Sequence, residues 1–243
     1  MHTNNESAPF FTRFVTTKLW FWVPAVVALV ADLWSKSWAQ DALTKSISSA
    51  SPDVIFSFQK PEVPLDGNPF IDGVLHFQWA ENTGAAFSIG AGNTEVLLFL
   101  GLGILGILFY YVLRTPSKRF VMLLALGLIA GGAIGNIYDR VTHRAPSKES
   151  ELQYLRGQAI TDKEGLPAVR DFLYFPFDIP VYSTWGLSDK EREAGITKKW
   201  PVFNVADVTI VSGVILMVIM LIFTKEEEQQ ATEANEDSKP EEV

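Results

Sequence analysis

Phe120-Val-Met-Leu-Leu-Ala-Leu-Gly-Leu-Ile-Ala-Gly-Gly-Ala-Ile-Gly-Asn-Ile-Tyr-Asp-Arg140 is the stretch that decides the fold. Its apolar part, Phe120–Ile137, approaches the length of about 20 residues that a membrane-spanning helix needs. Gly127, Gly131 and Gly135 recur every fourth residue, so they form one helix face against which another helix can pack closely. At the end of the run Asn136, Asp139 and Arg140 stand at i, i+3 and i+4 and share a face. Arginine at a helix C-terminus satisfies the last carbonyls and the negative end of the dipole. That role does not call for an asparagine one turn earlier in glycine-rich apolar sequence.

Three further apolar runs flank it: Leu19–Trp34, Val96–Leu113 and Val205–Phe223. Composition agrees, with 48% hydrophobic and 20% charged residues among 243, against about 25% charge in a typical soluble domain. A cleaved signal peptide is the rival reading of the first run. No small-residue cleavage site follows it, and Trp34, Lys36 and Trp38 extend the helical pattern instead. The chain therefore reads as a membrane all-α protein of four spans with a small β element and both termini on one side. Arg13 and Lys18 precede span one, and Arg114–Arg119 between spans two and three carries three bases and no acids. The positive-inside rule places these in the cytoplasm and the connections 39–93 and 138–203 outside. Residues 1–18 form a cytoplasmic N-terminal segment, 19–223 the membrane domain, and 224–243 a tail expected to be disordered. From Lys225 onward the tail holds eight acids and two lysines, so most of the net charge of −8 is local to it. No basic field for nucleic acid exists.

Ionisable residues in or beside a span are costly, by roughly 2.5–3.5 kcal/mol on insertion scales, and call for a partner or a function. Asp32 and Lys36, four apart, can pair on one helix. Asn204 and Asp207 open span four, where they can serve as N-cap and as an acid facing the helix dipole. Val74–Ala80 alternates like a strand, followed by a turn at Asn82-Thr-Gly84. Asp171 lies in an aromatic run, Val169-Arg-Asp-Phe-Leu-Tyr-Phe-Pro-Phe177, where a desolvated carboxyl would have its pKa raised. The chain has no cysteine and only three histidines, His2, His76 and His143. That excludes cysteine nucleophiles and thiolate metal sites, and leaves a multi-histidine metal centre nearly excluded.

Asp32-Leu-Trp-Ser-Lys36, Asn82-Thr-Gly-Ala-Ala-Phe87, Gly132-Ala-Ile-Gly-Asn-Ile-Tyr-Asp-Arg140, Arg170-Asp171-Phe172 and Phe203-Asn-Val-Ala-Asp207 occur in this order over roughly residues 19–223. Together they resemble the lipoprotein signal peptidase (signal peptidase II) family of membrane aspartic peptidases. The resemblance implies four transmembrane helices, an extracytoplasmic β-cradle into which residues 71–90 would fit, and a short periplasmic helix. It implies removal of signal peptides from diacylglyceryl-modified prolipoproteins at the bacterial inner membrane, just before the lipidated cysteine. The catalytic pair then falls on Asp171 and Asp207. Asn82, Gly84, Asn136, Arg140 and Asn204 match substrate-site positions, while Asp32, Lys36 and Asp139 match structural ones.

The connections Arg140–Asp171 and Asp171–Asn204 are longer than the family usually shows, and Tyr174 stands where many members carry a second acid. Asp139 and Asp178 are the other candidates for Asp171's role. The implied chemistry is activation of water by two carboxyls sharing a proton. No cofactor or metal is expected, membrane lipids and lipidated precursors are the expected partners, and nothing demands more than a monomer. A serine intramembrane protease built on Ser212 lacks a histidine in a membrane segment. A presenilin-like aspartyl protease would need a Gly-x-Gly-Asp motif, which is absent. A small transporter or channel using Asp32, Asp139 and Asp207 is the non-enzyme alternative.

Overall fold

The computed structural model describes residues 10–48, 54–64, 67–84, 94–177 and 200–237. Its four long apolar helices are α2 (Leu19–Leu43), α3 (Thr94–Arg114), α4 (Phe120–Thr142) and α6 (Val205–Asp237); a short helix α1 (Phe10–Thr17) precedes them. In each, a stretch is long and apolar enough to cross a bilayer: Leu19–Leu43, Val96–Arg114, Phe120–Thr142 and Val205–Phe223. The chain is a multi-pass membrane protein.

Helix α4 is the centre of the bundle and packs along both α2 and α6, whereas α3 packs chiefly on α4. The glycine face explains the contact with α2. A Cβ at Gly127 or Gly131 would meet the backbone carbonyl of Phe21 or Ala25, and one at Gly135 would meet the Asp32 carboxylate. Gly132 turns the other way, against the Ala206 carbonyl and the Thr209 hydroxyl of α6. Phe21, Val112, Leu123, Leu126 and Ala130 fill the space between helices. Residues such as Phe99, Leu100 and Ile107 of α3 and Val211, Ile215 and Leu221 of α6 stay exposed. Without a water-exposed surface to avoid, that outward apolar face is what a bilayer accommodates.

Helix α2 outruns the apolar span Leu19–Trp34 and continues to Leu43. Its charges at Asp32 and Lys36 do not end it, because both are fully buried and paired at 2.8 Å. Helix α6 runs on to Asp237, into the tail that begins at residue 224; residues 238–243 lie outside the described residues. Lys225–Ala234 is made mostly of Glu, Gln, Ala and Lys, all strong helix formers, and holds no Gly or Pro.

The β structure lies in the two long connections. Strands β3 (Asn68–Ile71), β4 (Leu75–Asn82) and β7 (Val169–Tyr174) form an antiparallel sheet in the order β3-β4-β7. The predicted strand Val74–Ala80 is thus present as β4, and two partners that alternation did not expose join it. Residues 85–90 of the expected cradle lie outside the described residues. A second unit joins the hairpin β1 (Thr44–Ser48) and β2 (Ile55–Gln59) to the long insertion after α4. That insertion holds β5 (Arg144–Ala145), α5 (Lys148–Leu155) and β6 (Leu166–Pro167). Phe56, Phe58 and Ile160 form its small core, with Tyr154 stacked on Phe58 at 4.1 Å.

Candidate active site

Strand β7 and helix α6 meet through three backbone bonds. Phe172 and Leu173 both donate their N–H to the Phe203 carbonyl, at 3.0 and 2.8 Å, and Phe203 N–H donates back to the Leu173 carbonyl at 2.8 Å. This short bridge carries Asp171, on the strand, to the mouth of α6, where Asn204 and Asp207 stand. On the other edge of β7, Ala80 of β4 pairs with Asp171 and Asn82 pairs with Val169. Pleating sends alternate side chains to opposite faces. Val169 and Asp171 accordingly line a cavity of about 340 Å³ together with Asn82, Asn136, Arg140, Asn204 and Asp207, while Arg170 does not. Trp200, Pro201, Val202, Phe203, Ile210 and Val211 complete its wall.

Asn204 and Asp207 form a reciprocal cap on α6. Asp207 N–H donates to Asn204 Oδ1 at 3.0 Å, and Asn204 N–H donates to Asp207 Oδ2 at 3.1 Å. Two orphan donors of the first turn are satisfied in one exchange. The helix-start reading of these residues therefore holds geometrically, yet it leaves Asp207 Oδ1 and the Asn204 amide nitrogen to spare. Asp207 Oδ1 accepts Asn136 Nδ2 at 3.0 Å. Asn204 Nδ2 donates to Asp171 Oδ1 at 2.6 Å and to Asn136 Oδ1 at 3.1 Å. A single asparagine thus touches both aspartates, with its side chain on one and its backbone on the other.

The orientation of Asn136 follows from its surroundings. Lys36 Nζ donates to Asn136 Oδ1 at 2.9 Å. An ammonium has no acceptor, so the carboxamide must present its oxygen to Lys36 and its NH₂ to Asp207. Asp32 accepts Lys36 at 2.8 Å through one oxygen and the Ala206 N–H at 2.9 Å through the other, adding a cap donated from α2. Arg140 donates to the Asn136 carbonyl at 3.2 Å and to the Gly84 carbonyl at 3.2 Å, which holds the turn after β4 against α4. Asn82 closes that turn by accepting Gly84 N–H at 3.0 Å, and its side chain also reaches Asp171.

Asp171 is 2% exposed. Burial, reinforced by the negative charge of Asp207, pushes its carboxyl up to about 8 despite the opposing bonds from Asn204 and Asn82. Asp139 has no such freedom. Its oxygens accept the Arg170 N–H at 2.9 Å, Arg170 Nη2 at 2.6 Å and Arg170 Nε at 3.2 Å, with Lys36 Nζ at 3.4 Å. It does not line the cavity. Asp178, the other candidate, lies outside the described residues, as do Ala85, Ala86 and Phe87 of the Asn82 motif. Asp32 and Asp139 sit in closed ion pairs behind the cavity, so the transporter reading, which needs them along one path, is not favoured. Gln40 is a residue that the sequence did not single out, and Arg170 stood there only as part of the Arg170-Asp171-Phe172 motif, without a role; the partners of both are far along the chain.

A polytopic bundle that turns two carboxyls and three carboxamides into one cavity defines an integral membrane hydrolase. The family model described as "Signal peptidase (SPase) II" matches residues 24–223, and the chain belongs to that family of peptidases. A lipoprotein signal peptidase of Deinococcus radiodurans is 30% identical over 217 residues, covering 86% of this chain and 84% of that protein. One from Mycobacterium tuberculosis strain H37Rv is 35% identical over 173 residues, covering 70% and 65%. One from Xanthomonas axonopodis pv. citri is 28% identical over 222 residues, covering 89% and 93%. A solved bacterial membrane enzyme structure, obtained by the in meso method at 2.3 Å resolution, has a TM-score of 0.51 at 20% identity. It covers 95% of this chain and 96% of that one. That likeness concerns the fold.

Proposed function

We propose that this peptidase removes signal peptides from diacylglyceryl-modified prolipoproteins, cutting before the lipidated cysteine with Asp171 and Asp207 as its catalytic pair. The observation that carries the reading is the shared asparagine. Asn204 holds Asp171 through Nδ2 at 2.6 Å and Asp207 through its backbone N–H at 3.1 Å, both at the wall of one cavity.

Asp171, raised by burial and by its neighbour's charge, enters the reaction protonated at neutral pH. It donates a hydrogen bond to the scissile carbonyl as negative charge develops on that oxygen. Asp207, held by two N–H donors, is the carboxylate that takes a proton from the attacking water. The tetrahedral intermediate then collapses as a proton passes to the leaving amine, which restores one protonated and one ionised carboxyl. Arg140 and Asn82 line the cavity on the β4 side and are placed to orient the substrate main chain. The apolar wall of Trp200, Val202, Ile210 and Val211 suits the acyl chains of the lipidated residue. The Lys and Arg bias supports cytoplasmic termini in the bacterial inner membrane, with this site at the outer face.

The test is hydrolysis of a diacylglyceryl-modified precursor peptide by purified protein in detergent. Asp171→Asn and Asp207→Asn should stay folded and leave the precursor uncut; complete processing by either variant would overturn the assignment.

A further inference from the structure

We propose that Arg170 is a positioning residue for Asp171, clamping strand β7 to helix α4 from the face opposite the cavity. This rests on the catalytic reading of Asp171 given above. The geometry is unusual in gripping one carboxylate with both the main chain and the side chain of a single residue. Arg170 N–H donates to Asp139 Oδ2 at 2.9 Å, Nε lies 3.2 Å from both oxygens, and Nη2 donates to Oδ1 at 2.6 Å. The remaining nitrogen, Nη1, donates to Gln40 Oε1 at 3.0 Å on α2. Gln40 in turn donates to Ser57 Oγ at 2.8 Å, on strand β2 of the satellite unit. One guanidinium therefore ties β7 to α4, α2 and, through Gln40, the hairpin.

Two features make this a device for placing Asp171 rather than ordinary packing. Asp139 is fully buried on the helix that packs along both α2 and α6, so the anchor is held by neighbours on both sides. The peptide N–H it holds belongs to the residue directly before Asp171, and fixing that amide and the guanidinium together leaves the next Cα little freedom to shift or twist. Glu81, the cross-strand partner of Arg170, adds a second acid on the same face and is itself bonded to His143 at 2.6 Å. On the cavity face, Asp171 meets Asp207 of α6, Lys36 of α2, Arg140 of α4 and Asn82 of β4. Any slackening of β7 would let water reach Asp171 and ease the desolvation that keeps it protonated.

The test uses the full-length chain in detergent with a lipidated precursor peptide. Removing both partners, in R170M/D139N, avoids orphaning a buried charge. The expected result is a fall in kcat of about 10- to 100-fold with KM within about twofold. The alkaline limb of the kcat–pH profile should also move about one unit toward acid, because Asp171 loses its proton earlier. R170K, which keeps the charge but not the fork, should recover only part of kcat. Wild-type kcat and an unmoved limb in folded R170M/D139N would overturn the proposal. So would a loss of activity that merely tracks loss of folded protein. Should the double variant fail to fold, Q40L leaves Asp139 paired and releases only Nη1. It should move the limb in the same direction, and an unmoved limb there refutes the clamp. Full activity in D171N is a separate outcome: it would sink the dyad itself, whatever residue 170 does.

Discussion

Replacing Asp171 by Asn separates the chemistry of this site from its energetics. The carboxyl stands at about 8 in the folded protein against 3.8 for an unperturbed aspartate. A folded-state pKa above the unfolded one means that the native state binds the proton more tightly. The contribution of this group to stability is complete below about pH 4 and is lost progressively as pH climbs through about 8. At about 1.4 kcal/mol per unit, the three units from pH 5 to pH 8 amount to about 4 kcal/mol. Asparagine carries no such cost, and its oxygen can still accept the bond from Asn204 Nδ2. The variant should therefore match the wild type near pH 4 and become more thermostable than it at pH 8. For a chain of this size, that gap is about 10 °C in Tm. Thermal unfolding of both proteins in one detergent, at intervals from pH 4 to pH 9, measures it directly. A Tm difference that does not change with pH would refute the desolvated Asp171, and with it the assignment of that residue as the acid.

The same titration limits activity: with Asp171 required in its protonated form, kcat should fall about tenfold between pH 7 and pH 9, as a pH–rate profile would show. Gly135→Ala places a methyl group on the Asp32 carboxylate and should cost about 2–4 kcal/mol, read as a lower Tm, because backbone or ion pair must shift. Asn136→Ala removes the link between Lys36 and Asp207 and should lower kcat by about 10- to 100-fold with the fold retained by circular dichroism.

The membrane topology was legible because it rests on local composition. Apolar runs and a glycine every fourth residue report directly on span length and on the face α4 offers to α2. The pairing of Asp32 with Lys36 was legible for the same reason, since four residues of helix bring them together. The spacing carried the helix past the apolar run to Trp38, but nothing in Ala39-Gln-Asp-Ala-Leu43 told that α2 continues to Leu43. The hairpin β1–β2 was hidden as well: Thr44-Lys-Ser-Ile-Ser48 is too polar to alternate clearly, and its partner Phe56 and Phe58 are buried only because the distant insertion supplies Ile160 and Tyr154. The choice between Asp139 and Asp171 likewise depended on contacts across 31 positions of chain. Both are buried acids in short motifs; only the folded chain shows one locked to arginine and the other facing the cavity beside Asp207.

The reciprocal cap on α6 has an evolutionary cost. The side chain proposed to activate water also tells the fourth helix where to begin, so neither duty can be tuned without disturbing the other. A lineage exploring new reaction conditions has little latitude at Asn204 or Asp207 and must adjust the surroundings instead, from the strand that presents the opposing acid. Drugs aimed at this pair would meet the same restriction from the opposite direction: escape by substitution at either position would erode the scaffold along with the inhibitor's foothold.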